Sequence, residues 1–173
     1  SPQHLTNLGG VLYFTAETPE EGRELYFHDL PAENTRHFGA IMRGPESAAP
    51  WIHGCADGYV YFSALRQGRS HERAIYSAPL ATNIAKALPE GSFNINTMWK
   101  LGFGMRHDGT LLFDSSGNLW RTHGPGNSPT MVMEINAGSM SAMGFVTVGD
   151  QTFFITDTPE HGRELWVTDG TTA

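Results

Sequence analysis

The stretch Thr18-Pro-Glu-Glu-Gly-Arg-Glu-Leu-Tyr26 decides the fold, because it returns near the end of the chain as Thr158-Pro-Glu-His-Gly-Arg-Glu-Leu-Trp166. The two copies agree at seven of nine positions, and one of the two changes exchanges Tyr for Trp. A chain of 173 residues that repeats itself in this way is built from internal units. Such units have to be found before any single element is assigned.

Two further units lie between these copies, and a short apolar stretch ending in Phe marks all four. These anchors are Leu12-Tyr13-Phe14, Val60-Tyr61-Phe62, Leu111-Leu112-Phe113 and the looser Thr152-Phe153-Phe154. The Phe residues follow one another at intervals of about 40–50 residues, a common length for a structural repeat. We therefore predict a single repeat domain over residues 1–173, with approximate units 1–47, 48–95, 96–140 and 141–173.

A turn signal precedes every anchor at the same distance. The residues five and four positions before each Phe are Gly9-Gly10, Asp57-Gly58, Asp108-Gly109 and Gly149-Asp150. Two-residue β-hairpins need a positive φ, which Gly accepts freely and Asp tolerates. The sequence therefore predicts a tight hairpin leading into each anchor strand.

Each unit also offers strands on either side of its anchor. First strands are predicted near residues 3–8, 51–56, 101–107 and 142–148. Third strands centre on Leu25-Tyr26, Ile75-Tyr76, Leu119-Trp120 and Leu165-Trp166. Fourth strands are expected near residues 36–41, 84–88 and 130–135, with a short helix over 81–88 as the alternative. Because Ala173 follows directly on the third strand of the last unit, that unit is expected to lack its fourth strand.

Four strands in about 40–50 residues is the strand count of a β-propeller blade. The anchor strands are apolar in succession, which indicates burial on both faces, and blades stacked face to face provide such burial. We predict an all-β, β-propeller-like fold of four blades with about four antiparallel strands each, the last blade incomplete.

The composition agrees with an all-β fold and disfavours several function classes. The chain holds 20 Gly and 10 Pro, and its net charge of −7 comes without a Lys/Arg cluster, so it lacks the footprint of a nucleic-acid binder. No apolar run approaches the roughly 18 residues of a membrane helix, so we expect no direct membrane insertion. Cys55 is the single Cys and leaves the redox compartment open.

The last unit resembles a known repeat family. Glu164-Leu-Trp-Val-Thr-Asp-Gly-Thr171 carries the complete motif of the ELWxxDGT repeat family, and His161-Gly-Arg163 resembles the family's lead-in. The first unit departs at Leu30-Pro31, where the family has Gly-Thr, and the two middle units keep only the apolar pattern. The layout is also similar to kelch-type blades. The resemblance implies a bacterial tandem-repeat protein of propeller type, usually a segment of a larger exported or surface protein, and it supplies no catalytic residue.

The most repeated side chains are interpreted as structural. In this interpretation the aromatic residue packs between blades and the Arg–Glu pair ties adjacent strands, as repeated features of repeat proteins usually do. The alternative is that the Arg–Glu pairs bind a ligand around the propeller axis. The predicted structural set is Arg23, Glu24, Tyr26, Tyr76, Trp120, Arg163, Glu164 and Trp166.

Two groups of residues are candidates for a metal. Asp29 and Asp169 follow third strands, where acidic turns can hold Ca²⁺, but their spacing falls short of a Ca²⁺ loop. His4, His53 and His107 all fall in first strands, which line the central channel of a propeller, yet each stands at a different distance before its Phe anchor. We expect no cofactor, with Ca²⁺ kept as an alternative.

Nothing in the sequence matches a nucleophile elbow, and Cys55 is interpreted as a small buried hydrophobic residue. Glu20, Glu21 and Glu160 could form a glycosidase-like carboxylate set, although solvated charge is expected in these connections. The loops 42–50 and 123–129 are the least repeat-like segments and are either recognition loops or plain surface loops.

These observations predict a non-catalytic binding or assembly module of an exported or surface-associated bacterial protein. It would bind a protein or glycan partner and no nucleic acid, at the cell surface or outside the cell, with the periplasm as an alternative. Two other functions remain open: a carbohydrate-active enzyme with a site at the channel mouth, and a purely architectural subunit of a larger assembly. The sequence also leaves open whether the blades close into a ring and whether the chain belongs to a longer protein.

Overall fold

The computed structural model describes residues 1–39, 41–56, 58–82, 86–87, 103–105, 108–115, 117–124, 127–135 and 142–172. Every regular element within these ranges is a β-strand, which confirms the all-β prediction. Nowhere in the described ranges is there a helix of the length and apolarity needed to cross a membrane.

The chain forms two compact units, residues 1–88 and 89–173. In the first unit, blade 1 consists of β1 (Gln3–Leu8), β2 (Val11–Thr18), β3 (Gly22–Asp29) and β4 (Asn34–His37). Blade 2 consists of β5 (Trp51–Ala56), β6 (Tyr59–Arg66), β7 (Arg69–Pro79) and β8 (Lys86–Ala87). All neighbouring strands are antiparallel and follow chain order.

In the second unit, blade 3 consists of β9 (Phe103–Met105), β10 (Thr110–Ser115), β11 (Asn118–His123) and β12 (Thr130–Glu134). Blade 4 consists of β13 (Met143–Val148), β14 (Gln151–Thr158) and β15 (Gly162–Thr168). The described residues thus form four antiparallel sheets, three of them four-stranded and the last three-stranded, as predicted. A single domain that contains all four blades remains a prediction.

The strand bounds differ from the predicted ones in two places. The fourth strand of blade 1 is Asn34–His37 and not 36–41: the N–H of Phe38 still donates to the carbonyl oxygen of Leu25 at 2.8 Å, but the Phe38 side chain belongs to the core between the blades. In blade 2, residues 86–87 pair with β7 as a strand, so the helix alternative for 81–88 is wrong there. The rest of that fourth-strand prediction, residues 84, 85 and 88, lies outside the described residues, as do residues 101, 102, 106 and 107 of the first strand predicted for blade 3.

Tight hairpins join the first two strands of blades 1 and 4, as predicted, and in blade 2 Ala56 pairs with Tyr59. Leu8 pairs with Val11, and Val148 pairs with Gln151, each across a two-residue turn. Gly9 and Gly10 both have positive φ, at 59° and 84°, which explains why this turn needs glycine.

Side chains alternate between the two faces of each blade, and directly paired residues share a face. On blade 1 we call the face of Tyr13 and Phe27 the A face and the face of Phe14 and Tyr26 the B face, since these residues pair across β2 and β3. In every blade, the B face is the one that carries the last Phe of the anchor, and the A face is the opposite one.

The core of the first unit lies between the A face of blade 1 and the B face of blade 2. Phe38, from the segment that joins the two blades, packs edge-on against Phe62 at a ring distance of 5.3 Å and against Phe27 at 6.0 Å. Each such apolar side chain contributes roughly 1.5–3 kcal/mol when fully buried. The buried members of this core are Val11, Tyr13, Leu25, Phe27, Phe38, Met42, Ala48, Val60, Phe62, Ala64 and Ala78.

The second unit repeats this arrangement. Leu112 and Leu119 on the A face of blade 3 belong to one core with Phe154 on the B face of blade 4, and Trp166 packs against it. In both units, the anchor Phe on the B face stacks on another aromatic ring of the same sheet. Phe62 stacks on Tyr76 at 5.4 Å, and Phe154 stacks on Phe145 at 5.3 Å. One contact, from an A face to the B face of the following blade, therefore organises both units.

Buried charged groups attach the connecting segments to the blades. The Glu24 carboxylate is fully buried and accepts hydrogen bonds from the backbone N–H groups of Met42 at 3.1 Å and Ile41 at 3.3 Å. In the second unit, the Asp114 carboxylate accepts one from the N–H of Ala142 at 3.3 Å. Arg73 of blade 2 donates to the carbonyl oxygen of Ala49 at 2.7 Å. These hydrogen bonds satisfy backbone N–H and C=O groups of the connecting segments that have no partner in a β-sheet.

Glu24 makes the stability of the first unit depend on pH. Desolvation by burial raises the pKa of its carboxyl from 4.5 to about 7, against the lowering effect of the two N–H donors. Between these values the folded chain holds a proton that the unfolded chain has released, so the free energy of unfolding falls as pH rises through this window. We expect the wild type to lose roughly 3 kcal/mol between about pH 4.5 and pH 7 relative to Glu24→Gln, at about 1.36 kcal/mol per pKa unit.

Urea unfolding at a series of pH values measures this difference directly. Glu20→Gln is the matched control, because Glu20 is an exposed carboxyl in the adjacent turn, and its profile should run parallel to that of the wild type. A difference between wild type and Glu24→Gln that does not change with pH would contradict the assignment.

Candidate functional site

The A face of blade 4 is an exposed apolar surface. Leu165 is 69% exposed, Val167 50% and Ile155 38%, and all three lie on this face of β14 and β15. Strand β13 extends the surface, because Val146 pairs with Phe153 and Val148 with Gln151. We call the exposed residues the blade 4 patch: Val146, Val148, Ile155, Leu165 and Val167. Contiguous exposed apolar surface of this kind marks an interaction site.

The equivalent face of blade 1 is covered. Leu165 and Val167 stand at the positions that Leu25 and Phe27 hold in the first copy of the motif, yet Leu25 is 0% and Phe27 1% exposed. In blade 1, the connecting segment and the B face of blade 2 cover these residues. On blade 4, the same motif positions are open to solvent.

The contacts that the connecting segment makes to the motif of blade 1 are also missing on blade 4. A Cβ added to Gly22 would approach the carbonyl oxygen of Glu46 to 2.6 Å, whereas one added to its counterpart Gly162 would meet nothing within 4 Å. Glu24 is fully buried, whereas its counterpart Glu164 is exposed. The connecting segment covers the motif in blade 1, whereas the motif residues Glu164, Leu165 and Val167 of blade 4 are exposed among the described residues.

The opposite face of blade 4 is packed, which fixes the direction in which the patch points. Thr152, Phe154 and Thr156 are buried on the B face, so β14 alternates between buried and open positions along its length. An antiparallel sheet with one wet face ordinarily carries polar residues on it. Blade 4 instead carries β-branched and aliphatic residues there.

A polar groove in the second unit is another candidate. It has a volume of 380 Å³, within the range of small-ligand pockets, and Asn127 and Ser128 of the predicted loop 123–129 contribute to it. Arg121 is held in place by donating to the carbonyl oxygen of Gly170 at 2.7 Å. The lining residues are Thr110, Arg121, Thr122, His123, Asn127, Ser128 and Thr130.

The loop 42–50 is only partly at the surface, which neither of its two interpretations anticipated. Met42 is 1% and Ala48 0% exposed, and both belong to the core between blades 1 and 2, while residues 43–46 are exposed. The backbone carbonyl of Ala48 accepts a hydrogen bond from the N–H of Leu65 at 2.8 Å. The segment diverges from the repeat because it fills the space between two sheets.

The metal candidates that the structure describes lie on or beside different strands. Asp29 ends β3, and the Asp169 carboxylate accepts hydrogen bonds from the N–H of Thr171 at 2.8 Å and its hydroxyl at 2.6 Å, as in a local turn. His4 Nδ1 lies 3.2 Å from Thr15 Oγ1. Desolvation, together with the charge of Arg73, lowers the pKa of His53 to about 3, and His107 lies outside the described residues.

Among the residues that the structure describes, no three His, Cys, Asp or Glu side chains form a group that could hold a metal ion. A role for Ca²⁺ stays a prediction.

The predicted structural residues take different roles. Arg23 and Glu24 do not act as a pair: Arg23 forms an exposed ion pair with Glu17 across β2 and β3 at 3.0 Å, while Glu24 attaches the connecting segment. Tyr26 stacks on Phe14 within blade 1 at 5.7 Å. Trp120 Nε1 donates to the carbonyl oxygen of Ser115 at 3.3 Å. The attaching role of Glu24 has no signal in the sequence beyond its place in the motif.

Comparisons with known proteins show the fold and no more. No family model and no curated protein matches the chain. Solved structures to which it is similar include the puromycin hydrolase S511A mutant complexed with PGG (TM-score 0.63, 16% identity, 93% of this chain and 25% of that chain). Another is TolB from Acinetobacter baumannii (TM-score 0.55, 14% identity, 94% of this chain and 39% of that chain). A third is the nidogen/laminin complex (TM-score 0.54, 17% identity, 94% of this chain and 60% of that chain).

These structures are propeller proteins, so the propeller-like fold class is confirmed. The chain spans between a quarter and three fifths of the lengths of these three structures.

Matched double substitutions test the contrast between blades 1 and 4. We expect Leu165→Gln with Val167→Thr to change the free energy of unfolding by less than about 1 kcal/mol, because both side chains are exposed. The same changes at the counterparts, Leu25→Gln with Phe27→Thr, should cost more than about 4 kcal/mol by emptying the core and burying a polar group. Urea denaturation measures both, and equal losses would show that the blade 4 patch is not open.

Proposed function

We propose that the chain is a non-catalytic binding and assembly module whose main interaction surface is the blade 4 patch. The observation that carries this proposal is the exposure of Leu165 and Val167 at motif positions that are fully buried in blade 1. The function follows from the chemistry of the patch: a sheet face bearing five exposed aliphatic side chains is stabilised by burial against another apolar surface.

The patch favours a protein partner over other classes. Each aliphatic side chain that a partner covers contributes on the order of 1–2 kcal/mol, so the patch supplies several kcal/mol before the costs of association. Its side chains are β-branched or short, and therefore lose little rotamer freedom on binding. A glycan or a nucleic acid offers no matching aliphatic surface, and the chain's charge of −7 opposes nucleic acid further.

The raised pKa of Glu24 does not indicate a catalytic acid. Glu24 has a pKa of about 7, which would suit a general acid, but both of its oxygens accept backbone N–H groups and its side chain is fully buried. A catalytic acid has to come within hydrogen-bond reach of its substrate. Glu24 is therefore a structural group.

We further assign the chain to the ELWxxDGT repeat proteins and place it outside the cell, at the cell surface or in the periplasm. Support comes from the motif Glu164–Thr171, because the family that it resembles consists mostly of segments of exported or surface proteins. A propeller protein that takes part in a protein complex exists among the similar structures, in the nidogen/laminin complex.

Photo-crosslinking in the cells that make the protein tests the interaction surface. A photoreactive phenylalanine analogue at Val167 should give an adduct with a protein partner, and Leu165→Lys in the same chain should abolish it. The analogue at Glu160, an exposed position in the adjacent turn, is the matched control and should give none. Absence of an adduct at residue 167, or equal adducts at both positions, would refute the proposal.

A second candidate function is binding of a neutral glycan in the polar groove. It is favoured by the four hydroxyl side chains and the Asn127 amide that line the groove, because sugar hydroxyls need donors and acceptors of this kind. The Arg121 guanidinium adds a fixed donor at one wall.

Titration of the isotope-labelled protein with neutral gluco- and galacto-oligosaccharides tests this second function. We expect amide shifts at Ser128 and Thr130, and Ser128→Ala with Thr130→Val should weaken binding about tenfold or more, as loss of two hydrogen bonds implies. Thr6→Ala, far along the chain on β1, is the control. No shift in the groove at millimolar sugar would exclude these glycans.

A further inference from the structure

We propose that His4 on β1 and Trp51 on β5 form a binding site for a neutral pyranose ring, such as one sugar unit of a glycan. The Trp51 indole stacks on the apolar C–H face of the sugar, and His4 accepts a hydrogen bond from one of its hydroxyl groups. The site uses residues of neither the blade 4 patch nor the polar groove, so it does not depend on the functions proposed above.

A β-bulge positions His4. In β1, two residues lie between Gln3 and Thr6, whereas a single residue of β2 lies between their strand partners Thr15 and Tyr13. The first of the two extra-length residues is His4, whose φ is 54°. Bulges redirect side chains and are frequent next to binding sites. The position of the His4 ring is therefore set by the bulge and not by the regular alternation along β1.

The repeat shows that this bulge does not require a histidine. Blade 4 has the same irregularity at the same distance before its Phe anchor, and there Gly144 takes the place of His4, with a φ of 67°. Glycine adopts such a φ without strain, whereas a residue with a Cβ does so at a cost in free energy. A strained residue where the repeat elsewhere uses glycine indicates a function for its side chain.

Trp51 is a second departure from the repeat. Counted from the Phe anchors, Gln3 of blade 1 and Met143 of blade 4 hold the equivalent position. Trp51 is 58% exposed, and its ring centroid lies 5.2 Å from that of His4, with the ring planes at 42°. An exposed indole is a rigid apolar platform with a polar N–H at its edge. Two departures from the repeat, one from each blade, thus meet at one place.

Hydrogen bonds fix the tautomer of the neutral His4 ring. The Thr15 hydroxyl donates to the carbonyl oxygen of Gln3 at 3.3 Å, and Thr15 Oγ1 lies 3.2 Å from His4 Nδ1. Because a hydroxyl has one hydrogen and Thr15 has already donated it, Nδ1 has to supply the hydrogen of the second bond. The other ring nitrogen, Nε2, is therefore an acceptor, which matches an O–H donor of a ligand.

The charges around the two rings favour a neutral ligand. The buried Arg73 guanidinium donates to the carbonyl oxygens of Ala49 at 2.7 Å and of Ser63, the strand partner of Trp51, at 3.1 Å. This positive charge disfavours a cation, although an indole face otherwise attracts cations. The net charge of −7 of the whole chain disfavours an anion.

A pyranose ring is the neutral ligand that uses both rings of the site. Its C–H groups carry a small positive polarisation and stack on the negative face of an indole, while its hydroxyl groups donate to an acceptor such as His4 Nε2. An apolar side chain of a protein partner would cover Trp51 but leave the Nε2 acceptor desolvated and unpaired, which costs free energy. The combination of platform and acceptor therefore favours a sugar.

Titration of the isotope-labelled chain with methyl β-glucoside and methyl β-galactoside tests the proposal. We expect the indole N–H signal of Trp51, assigned with Trp51→Phe, to shift with a millimolar dissociation constant. The indole signal of Trp120, whose Nε1 donates to the carbonyl oxygen of Ser115, should stay unchanged. Sorbitol is the matched control ligand, because it carries hydroxyl groups on an open chain without a flat C–H face, and it should cause no shift.

Three variants separate the contributions to binding, with the affinity measured from the backbone amides of β5. Trp51→Leu retains apolar bulk without a flat ring and should weaken binding about tenfold or more. His4→Gly should weaken it roughly threefold to tenfold, as loss of one hydrogen bond implies, without lowering the thermal stability, because glycine relieves the strained φ. Leu30→Ala, at an exposed apolar residue in a turn, is the matched control and should bind like the wild type. Circular dichroism confirms that each variant is folded.

Thr15→Val tests the positioning of His4 separately, because it removes the hydroxyl and retains the shape of the side chain. The ¹⁵N chemical shifts of the His4 ring should report the Nδ1–H tautomer in the wild type and no longer in Thr15→Val, whose affinity for the glycosides should fall as well. An unchanged tautomer and affinity in Thr15→Val would contradict the acceptor role of Nε2.

Other outcomes overturn the site as a whole. No shift of the Trp51 signal with either glycoside at high millimolar concentration, or an equal shift with sorbitol, would refute it. A response to tetramethylammonium or to a proline-rich peptide, without one to the glycosides, would assign the site to another ligand class. Loss of the Trp51 response in Ser128→Ala with Thr130→Val would place the sugar in the polar groove instead, and a crosslink from residue 167 is unaffected by any of these results.

Discussion

The contact on which the structure depends is the one between the A face of a blade and the B face of the next. Backbone hydrogen bonds hold each sheet together, but within each described unit only side chains and the connecting segment hold one blade against the other. Leu25 and Phe27 on one side and Phe62 on the other supply that cohesion in the first unit. In blades 2 and 3 the anchor strand is buried on both faces, which agrees with its uninterrupted apolar sequence.

The connecting segments add a requirement that apolar packing cannot meet. As the chain leaves one sheet for the next, its backbone N–H and C=O groups lose their strand partners next to a dry core. Glu24 supplies acceptors and Arg73 supplies donors for these groups. Burying the Glu24 carboxylate costs free energy. This cost is expressed in the raised pKa of Glu24, because burial favours the neutral carboxyl. Glu164 has the same place in the motif and remains exposed, so the motif acquires this role only where a connecting segment passes over it.

Most of the fold could be predicted from the sequence because hairpins and inner strands leave local signals. Gly9-Gly10 and Gly149-Asp150 specify tight turns, and the Phe anchors specify buried strands, whatever lies around them. The role of segment 42–50 could not be predicted, because Met42 and Ala48 are isolated apolar residues without a period. The difference in burial between Leu25 and Leu165 could not be predicted either, since two nearly identical motifs do not show which of them is covered.

The composition of the open face argues that it is a contact surface and not a decayed blade. A face in permanent contact with water gains nothing from aliphatic residues, and an exposed sheet face ordinarily alternates toward polar ones. Blade 4 is instead more apolar than blade 1 on this face: Val146 stands where blade 1 has Thr6, and Ile155 stands where blade 1 has Thr15. Where blade 1 holds two hydroxyl groups, blade 4 holds two β-branched hydrocarbons, and Val146 is 57% exposed. That substitution pattern is the one expected of a surface whose covering partner comes from outside its own sheet.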